Sequence, residues 1–287
     1  MNNTLTNNEF LSVVPEIDRA CTTVIENIIS IFVPHKRIDK SLIQKEFDDN
    51  NRVLVIENTV FDKVEIRGRL LGQTHKDILE VLLTSDKTYS KETKQFKIKT
   101  TSYAILKKLG KDTSNRKWLI KKIEEIAECR VKLFFKETTE KQNIAYSFGF
   151  IGGILDKDEK EIYISFTPEY THFMAKNELL DYSNYVEDII QLKSPFIKAI
   201  VRYMLTNKGN NSQISIEKLL EKLKLKKLIS LEQLKDELFE LKSEEMQEIL
   251  LFKFGISLTN NNDTLTFKSI ISKPHYHIKA PILKAGL

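Results

Sequence analysis

Cysteine is nearly absent from this chain of 287 residues, which has only Cys21 and Cys129. Two thiols so far apart cannot build a disulfide framework or a zinc site, so we expect both to be buried within amphipathic helices. Long apolar runs are missing too, because no stretch approaches the about 20 residues that span a bilayer. The N-terminus lacks the basic start and apolar core of a signal peptide. These absences predict an intracellular, cytoplasmic protein.

The motifs of common catalytic and cofactor sites are also missing. The chain has no Gly-x-x-x-x-Gly-Lys-Ser/Thr loop for ATP phosphates, no His-Glu-x-x-His zinc motif and no Cys-x-x-Cys pair. We therefore expect no catalytic residue, no metal and no cofactor, and a protein that is not an enzyme.

One histidine pair needs a separate interpretation. In a strand, His275-Tyr276-His277 would place both imidazoles on one side, as in the metal-binding strand of rolling-circle nickases. That chemistry also needs a nucleophilic tyrosine and a third ligand, and the residues after His277 include no Tyr, Asp, Glu or His. We interpret the pair as surface histidines and keep a DNA-processing enzyme as an alternative.

Net charge is only +5, but it is unevenly distributed. Residues 86–130 contain 13 Lys/Arg against 6 Asp/Glu, and residues 193–227 contain 9 against 2. Residues 140–191, between them, contain 4 against 10. Two basic blocks suggest two surfaces that face a polyanion. The alternative is that lysines merely cover solvated faces.

A short helix followed by a longer basic helix lies in the first basic block. Apolar spacing and Gly110 predict the first helix over Thr101–Leu109, and the second within Lys111–Arg130 behind a Thr113/Ser114 cap. The apolar residues of the second helix share one face: Leu119, Ile123 and Ile126. At 100° per residue, the opposite face carries Ser114, Lys117 and Lys121. Such a helix suits insertion into the major groove of DNA.

Two strand-like runs follow this helix, Val131–Glu137 and Ile144–Gly149, joined by the polar turn Thr138–Asn143. The order of helix, turn, basic helix and hairpin predicts a winged helix, with Trp118 packing at the edge of the core. The predicted DNA-contacting residues are Ser114, Asn115, Arg116, Lys117, Lys121 and Lys122.

The residues before this unit predict further elements. Pro15 opens and Pro34 ends an apolar pattern with three- and four-residue spacing, which predicts one helix. The elements predicted after it are a helix over Ser41–Asp48, strands over Arg52–Asn58 and Val64–Arg69, a helix over Gln73–Leu83 and a strand over Phe96–Thr100.

A second cycle with the same order of elements follows the alternating strand Glu161–Phe166 and the helix Pro168–Lys176. Its predicted elements are the helix Pro195–Asn207, the strand Gln213–Ser215, the helices Ile216–Leu223 and Leu231–Ser243, and the strands Ile249–Leu258 and Thr264–Ile271. We predict an α+β fold with two tandem winged-helix domains, 52–167 and 168–287, behind an N-terminal helical segment, 1–51.

The second domain departs from a simple DNA-binding pattern. Leu231–Ser243 takes the place of its recognition helix, yet residues 232–248 contain 2 basic against 7 acidic residues. Such a face repels phosphates, although a carboxylate is able to accept a hydrogen bond from a cytosine amino group. The lysines before the helix and in the wing are the predicted contacts: Lys222, Lys224, Lys226, Lys227, Lys253 and Lys268. The alternative is that this domain binds a protein.

Three stretches carry a resemblance to a known family. They are Val64–Leu79, Thr100–Lys122 and a third running from Glu161 through Tyr182–Tyr185 to Tyr203. The first stretch resembles the first strand and helix of TrfA-like and RepE-like plasmid replication initiators, and the second resembles their helix–turn–helix. The third resembles their last wing strand, together with the linker and the opening helix of domain two.

This resemblance implies a protein that binds direct repeats, called iterons, in the double-stranded DNA of a plasmid origin. It further implies that the protein helps open the adjacent AT-rich duplex, recruits the host replicative helicase and other replication proteins, and represses its own promoter as a dimer. We also consider a tandem winged-helix transcriptional regulator without a replication role, and an adaptor that binds only proteins.

Overall fold

The structure is a computed structural model that describes residues 14, 16–57, 60–135, 144–157, 161–206, 212–259, 264–267 and 275–278. The turn predicted over Thr138–Asn143 and the predicted contact residue Lys268 lie outside these residues. Within them the fold is α+β, as predicted.

The N-terminal segment is not the single helix that its spacing predicts. Residues 16–19 are helical, and three short elements follow: β1 (Thr22–Thr23), α1 (Val24–Ile28) and β2 (Phe32–Val33). Strand β1 pairs with a strand of the second half of the chain, and β2 pairs with one of the first half. Pairing with distant strands therefore overrides the local helical pattern, which is a tertiary effect that periodicity cannot predict.

The first half begins with a 3-10 turn, Ile38–Lys40, and then forms a small sheet and a central helix. The elements are α2 (Leu42–Asp49), β3 (Val53–Glu57), β4 (Lys63–Arg67), β5 (Leu71–Gly72) and α3 (Gln73–Leu83). Ser41 caps α2 by accepting a hydrogen bond from the N–H of Gln44. Helix α3 has the predicted bounds and is buried along almost its whole length.

The helix–turn–helix and three hairpins follow. Their elements are β6 (Lys87–Ser90), β7 (Gln95–Thr100), α4 (Ser102–Lys108), α5 (Arg116–Glu128), β8 (Arg130–Phe134), β9 (Ile144–Phe148), β10 (Ile151–Lys157) and β11 (Glu161–Phe166). Thr101 caps α4, and Gly110 has a φ of 60°, a left-handed conformation that suits glycine after a helix.

The wing of the first half is not the hairpin that the sequence predicts. Strands β8 and β9 do pair, but β8 also pairs with β4, which gives a sheet in the order β3-β4-β8-β9. Strand β7, which precedes the helix–turn–helix, pairs instead with β11 in the order β10-β11-β7-β6. The β10–β11 hairpin therefore occupies the place predicted for the wing, and β8–β9 is inserted before it. Sequence order alone cannot decide which of two successive hairpins pairs with β7.

The second half has the same plan. Its elements are α6 (Pro168–Lys176), β12 (Leu179–Asp181), α7 (Ser183–Gln191), α8 (Pro195–Met204), β13 (Ser212–Ser215), α9 (Ile216–Lys222), α10 (Leu225–Leu228), α11 (Leu231–Lys242), α12 (Glu244–Phe254), β14 (Ile256–Thr259), β15 (Thr264–Phe267) and β16 (Tyr276–Ile278). Its sheet has the order β13-β15-β14, which matches β7-β11-β10 of the first half.

The predicted strand Ile249–Leu258 is wrong over its first part, because residues 249–254 end α12. A short apolar run does not distinguish a buried strand from a helix. The helix ends at Gly255, whose φ of 66° stops it, and β14 begins at the next residue. Helix α12 thus occupies the position at which the first half has the β8–β9 hairpin.

A buried ion network joins the two halves through α3 and α8. Arg202 of α8 is 2% exposed, and its Nε and Nη2 donate to the two carboxylate oxygens of Glu80 at 2.8 and 2.7 Å. The same Nη2 donates to Asp77 at 2.7 Å, and Nη1 donates to Gln73 at 2.7 Å. Burial alone would raise the pKa of Glu80, but the Arg202 guanidinium holds it below its ordinary value.

The N-terminal segment completes this network. Glu26 of α1 accepts a hydrogen bond from the Tyr170 hydroxyl at 3.0 Å and lies 3.4 Å from Lys76 Nζ, while Tyr182 donates to Glu80. Lys198 donates to Asp77. Three cations thus balance three carboxylates in the buried interior. Because nearly every polar group has a partner there, the network keeps the segment and both halves in one arrangement.

We expect Arg202→Met to destabilise the protein by about 3–5 kcal/mol, because it leaves the Glu80 and Asp77 carboxylates buried without their cation. Urea unfolding at neutral pH would measure the change, and adding Glu80→Gln should recover part of it. Arg19→Met removes an exposed arginine and is the control. A loss at Arg202 no larger than at Arg19 would contradict the role of the network.

Candidate nucleic-acid interface

Helix α5 presents its two faces as the sequence predicts. Leu119, Ile123 and Ile126 are fully buried, whereas Lys117 and Lys121 are exposed. The apolar face packs against α3 and α4. An amphipathic helix held in this way directs its lysines outward without any cost to the core.

The start of α5 differs from the prediction. The helix begins at Arg116 behind Asn115, which makes no side-chain cap, so the predicted Thr113/Ser114 cap is wrong. Instead the Asp112 carboxylate accepts a hydrogen bond from the N–H of Ser114 at 2.8 Å. Aspartate commonly stabilises a turn in this way, and because of this turn the helix begins one or two residues later than predicted. Ser114 and Asn115 remain exposed ahead of the helix.

The flanks of α5 are partly engaged in the fold. Arg116 is half-buried, and Trp118 is half-buried against the core as predicted. Lys122 Nζ donates to Glu125 of the same helix at 2.7 Å. Of the basic residues predicted on α5, Lys117 and Lys121 therefore face solvent most fully.

Glu125 ties α5 to the start of α3. Besides Lys122, its carboxylate accepts hydrogen bonds from Arg69 Nη2 at 2.9 Å and from His75 Nε2 at 2.7 Å. Burial alone would raise the pKa of Glu125, but the hydrogen bonds from His75 and Lys122 lower it to about 2. Burial lowers the pKa of His75, so the neutral ring donates from Nε2 while its Nδ1 accepts from the N–H of Gly72 at 2.9 Å.

The lysines predicted in the second half fall into two groups. Lys222 and Lys226 are exposed, and Lys224 is half-exposed with a φ of 51° in the turn before α10. The other two are bound to the protein: Lys227 Nζ donates to the carbonyl of Val55 at 3.1 Å, and Lys253 Nζ lies 3.1 Å from the Asp188 carboxylate.

Helix α11 packs on α8 as α5 packs on α3, so α11 has the same position in the second half that α5 has in the first half. Its exposed residues include Glu232, Asp236 and Phe239, the last 81% exposed. Glu237, in contrast, is buried and bonds to the Ser194 hydroxyl that caps α8. The solvent face of α11 is thus less acidic than the sequence count indicates, but it has no basic N-terminal half like that of α5.

The histidine pair near the end of the chain lies beside β12. The ring centroids of His275 and His277 are 5.9 Å apart, and His277 Nδ1 is 2.9 Å from the Glu178 carboxylate. Within the described ranges, no group of three or more His, Cys, Asp or Glu side chains is arranged to hold a metal ion. The same ranges contain no helix with the length and apolar character needed to cross a membrane.

Both cysteines are buried and free, as predicted, but neither lies inside a helix. Cys129 follows the last residue of α5, and Cys21 precedes β1. Burial raises the pKa of the Cys129 thiol to about 12, so it stays protonated.

Comparisons with known proteins give structural likenesses only. No protein-family profile and no curated protein matches the chain. The crystal structure of the RctB domains 2-3 has a TM-score of 0.48 and 12% identity, covering 76% of this chain and 91% of that chain. A selenomethionine derivative of domains 2 and 3 of RctB has a TM-score of 0.44 and 11% identity, covering 66% and 76%. At such TM-scores these likenesses carry no argument, and the resemblance to TrfA-like and RepE-like initiators stays a prediction.

The Glu125 cluster predicts a pH-dependent contribution to stability. The folded pKa of about 2 lies below the ordinary 4.5, so the contribution is present above pH 4.5 and is lost as the pH falls towards 2. We expect Glu125→Gln to cost about 2–3 kcal/mol at pH 6 and about 1 kcal/mol less at pH 3.5. Urea unfolding at the two pH values measures this, with the exposed neighbour Glu124→Gln as control. An equal difference at both pH values would contradict it.

Proposed function

We propose that this protein is a replication initiator that binds specific double-stranded DNA through two winged-helix units in tandem, and that it has no enzymatic activity. One observation carries the DNA-binding part of the proposal, and the replication role rests on the resemblance to plasmid replication initiators. The order helix, strand, helix–turn–helix and hairpin occurs twice, and in both halves the strand before the helix–turn–helix pairs with the last strand of the hairpin. That strand order is the sheet of a winged helix.

Helix α5 is the proposed recognition helix of the first unit. Its buried apolar face fixes its orientation, and Lys117 and Lys121 extend from its opposite side near the N-terminal end. In this arrangement the lysines contact phosphates, and the exposed Ser114 and Asn115 are placed to contact base edges. Lysine contacts with phosphate give affinity, whereas the polar side chains give sequence preference.

The second unit contributes differently. The exposed face of α11 has carboxylates at Glu232 and Asp236, so we assign its DNA contacts to Lys222, Lys224 and Lys226 in the segment before it. These residues would contact the backbone and add affinity and orientation rather than sequence preference. Lys227 binds Val55 and Lys253 binds Asp188, so we assign to both lysines a structural role before any contact with DNA.

The finer part of the proposal rests on the resemblance. It states that the DNA consists of direct repeats at a plasmid origin, that the protein opens the adjacent AT-rich duplex and recruits the host helicase, and that a monomer–dimer equilibrium accompanies autorepression in the cytoplasm. A tandem winged-helix transcriptional regulator would bind similar DNA without opening it, so duplex opening separates the two functions.

Charge reversal of α5 tests DNA binding. We expect Lys117→Glu with Lys121→Glu to abolish specific binding to the DNA upstream of the gene while leaving the unfolding midpoint unchanged, because both side chains are exposed. Any residual binding should have a log–log salt dependence shallower by about 2 units, from two lost phosphate contacts. Footprinting and fluorescence anisotropy measure both quantities.

The matched control is Lys45→Glu with Lys91→Glu, which makes the same change of charge at exposed positions outside α5. Lys91 lies in the turn between β6 and β7, beside the first residue of β7. Ile162, which is next to the turn of the β10–β11 hairpin, pairs with Thr100, the last residue of β7. Lys91 and the turn of that hairpin are therefore at opposite ends of the sheet. Normal binding by the α5 variant would exclude α5 as the recognition helix.

Duplex opening tests the replication role. We expect the protein to make thymines of an AT-rich tract beside its binding sites reactive to permanganate on supercoiled DNA, because an initiator converts binding energy into local strand separation. The Lys117→Glu/Lys121→Glu variant is the negative control. Protection of the repeats without permanganate reactivity would favour the transcriptional regulator.

A further inference from the structure

A cavity of about 20 Å³ lies in the interior where the N-terminal segment, α3 and α8 meet. Polar side chains from all three line it: Glu26, Asn27, Ser30, Lys76 and Arg202. A water molecule needs about 10–15 Å³ of such space. The cavity therefore has room for one water molecule and for no larger ligand.

The side-chain amide of Asn27 has one possible orientation. Its Nδ2 donates to the Tyr182 hydroxyl at 3.3 Å and to the backbone carbonyl of Arg202 at 3.4 Å. The carbonyl has no proton to give, and the Tyr182 hydroxyl gives its proton to Glu80, so both partners need a donor. An amide turned by half a rotation would face them with its oxygen and would lose both bonds. The Asn27 Oδ1 atom is therefore assigned to the other side of the amide.

This oxygen lacks a partner in the described part of the chain. Asn27 is 6% exposed, and no donor of the described residues lies within hydrogen-bond distance of Oδ1. Asn27 also lines the cavity, so the cavity is the space from which a donor can reach the oxygen. A buried carbonyl oxygen without a hydrogen bond destabilises a fold, and buried waters commonly supply the missing bond.

The charges around the cavity exclude an ion as the ligand. A metal ion would meet the Lys76 ammonium and the Arg202 guanidinium. An anion would meet the Glu26 carboxylate and the Asn27 oxygen, and neither of these donates a hydrogen bond. The ligand is therefore neutral and donates a proton to Oδ1. Water is the molecule of this size that both donates and accepts hydrogen bonds.

We propose that one water molecule is bound in this cavity and donates a hydrogen bond to Asn27 Oδ1. Lys76 Nζ donates to two oxygens of the N-terminal segment, so its ammonium keeps a third proton for the water. Ser30 Oγ donates to the backbone carbonyl of Leu223 and keeps lone pairs that accept from the water. Three hydrogen bonds are the usual number for a buried water.

The site lies beside the basic segment of the second half. Leu223 and Leu225 line the cavity and flank Lys224, whose φ of 51° is in the left-handed region. A residue other than glycine keeps such a conformation only where its surroundings hold it. The bond from Ser30 to Leu223 contributes to this support, and the water beside Ser30 adds to it. Binding of the water does not require DNA, so its test is separate from that of the proposed function.

A high-resolution crystal structure of the wild-type chain is the direct test. We expect density for a single solvent molecule about 2.5–3.0 Å from Asn27 Oδ1, between Lys76 and Ser30. The absence of solvent density at this position, or a protein donor bonded to Oδ1, would overturn the proposal. This measurement needs no variant and so does not depend on the folding of one.

Magnetic relaxation dispersion of the water oxygen nuclei gives a second measurement in solution. It counts the water molecules held inside a protein, and the exchange of hydroxyl and ammonium protons does not affect it. Asn27→Leu replaces the amide by an apolar group of similar size. Asn177→Leu is the control, because Asn177 is also buried but bonds to Phe173 and Tyr146 and does not line the cavity.

We expect Asn27→Leu to hold one water fewer than the wild type and Asn177→Leu to hold the same number as the wild type. Equal unfolding midpoints are not required, because each variant needs only to be folded at the temperature of the measurement. An unchanged count in folded Asn27→Leu, or the same loss in both variants, would show that no water is bound at Asn27.

Discussion

The burial of Arg202 between α3 and α8 is the constraint on which the rest of the structure depends. A guanidinium that is 2% exposed is stable only while Glu80, Asp77 and Gln73 stay within hydrogen-bond reach. Helices α5 and α11 pack on α3 and α8, so their separation follows from the same contacts. The two halves thus behave as one body, and the DNA contacts proposed for them would lie at a spacing that this body sets.

Much of the fold was predictable where the local signal is strong. Helix α3, strand β11 and helix α6 have the predicted bounds because alternation, helical spacing and Pro168 at a helix start all act locally. The errors have a different cause. The broken N-terminal helix and the misassigned first wing both depend on pairing with strands far away in the sequence, and α12 replaced a strand because its apolar run has no distinctive period.

In the candidate nucleic-acid interface, too, local features were predictable and long-range contacts were not. The exposure of Lys117 and Lys121 was predictable from helical periodicity alone. The Lys122–Glu125 pair was also within reach, because residues three apart on a helix are neighbours. The bonds of Lys227 to Val55 and Lys253 to Asp188 join distant segments.

The sheet β1-β12-β16 has a consequence for how the chain is made. It is assembled from residues 22–23, 179–181 and 276–278, so the sheet is complete only when its third strand has been synthesised, more than ninety residues after the middle strand. Such long-range closure is slow. During synthesis, the first half emerges from the ribosome with Glu80 and Asp77 still lacking Arg202. A nascent chain therefore reaches its final core only late in translation, and until then the apolar residues of α3 that α8 covers stay exposed to chaperones.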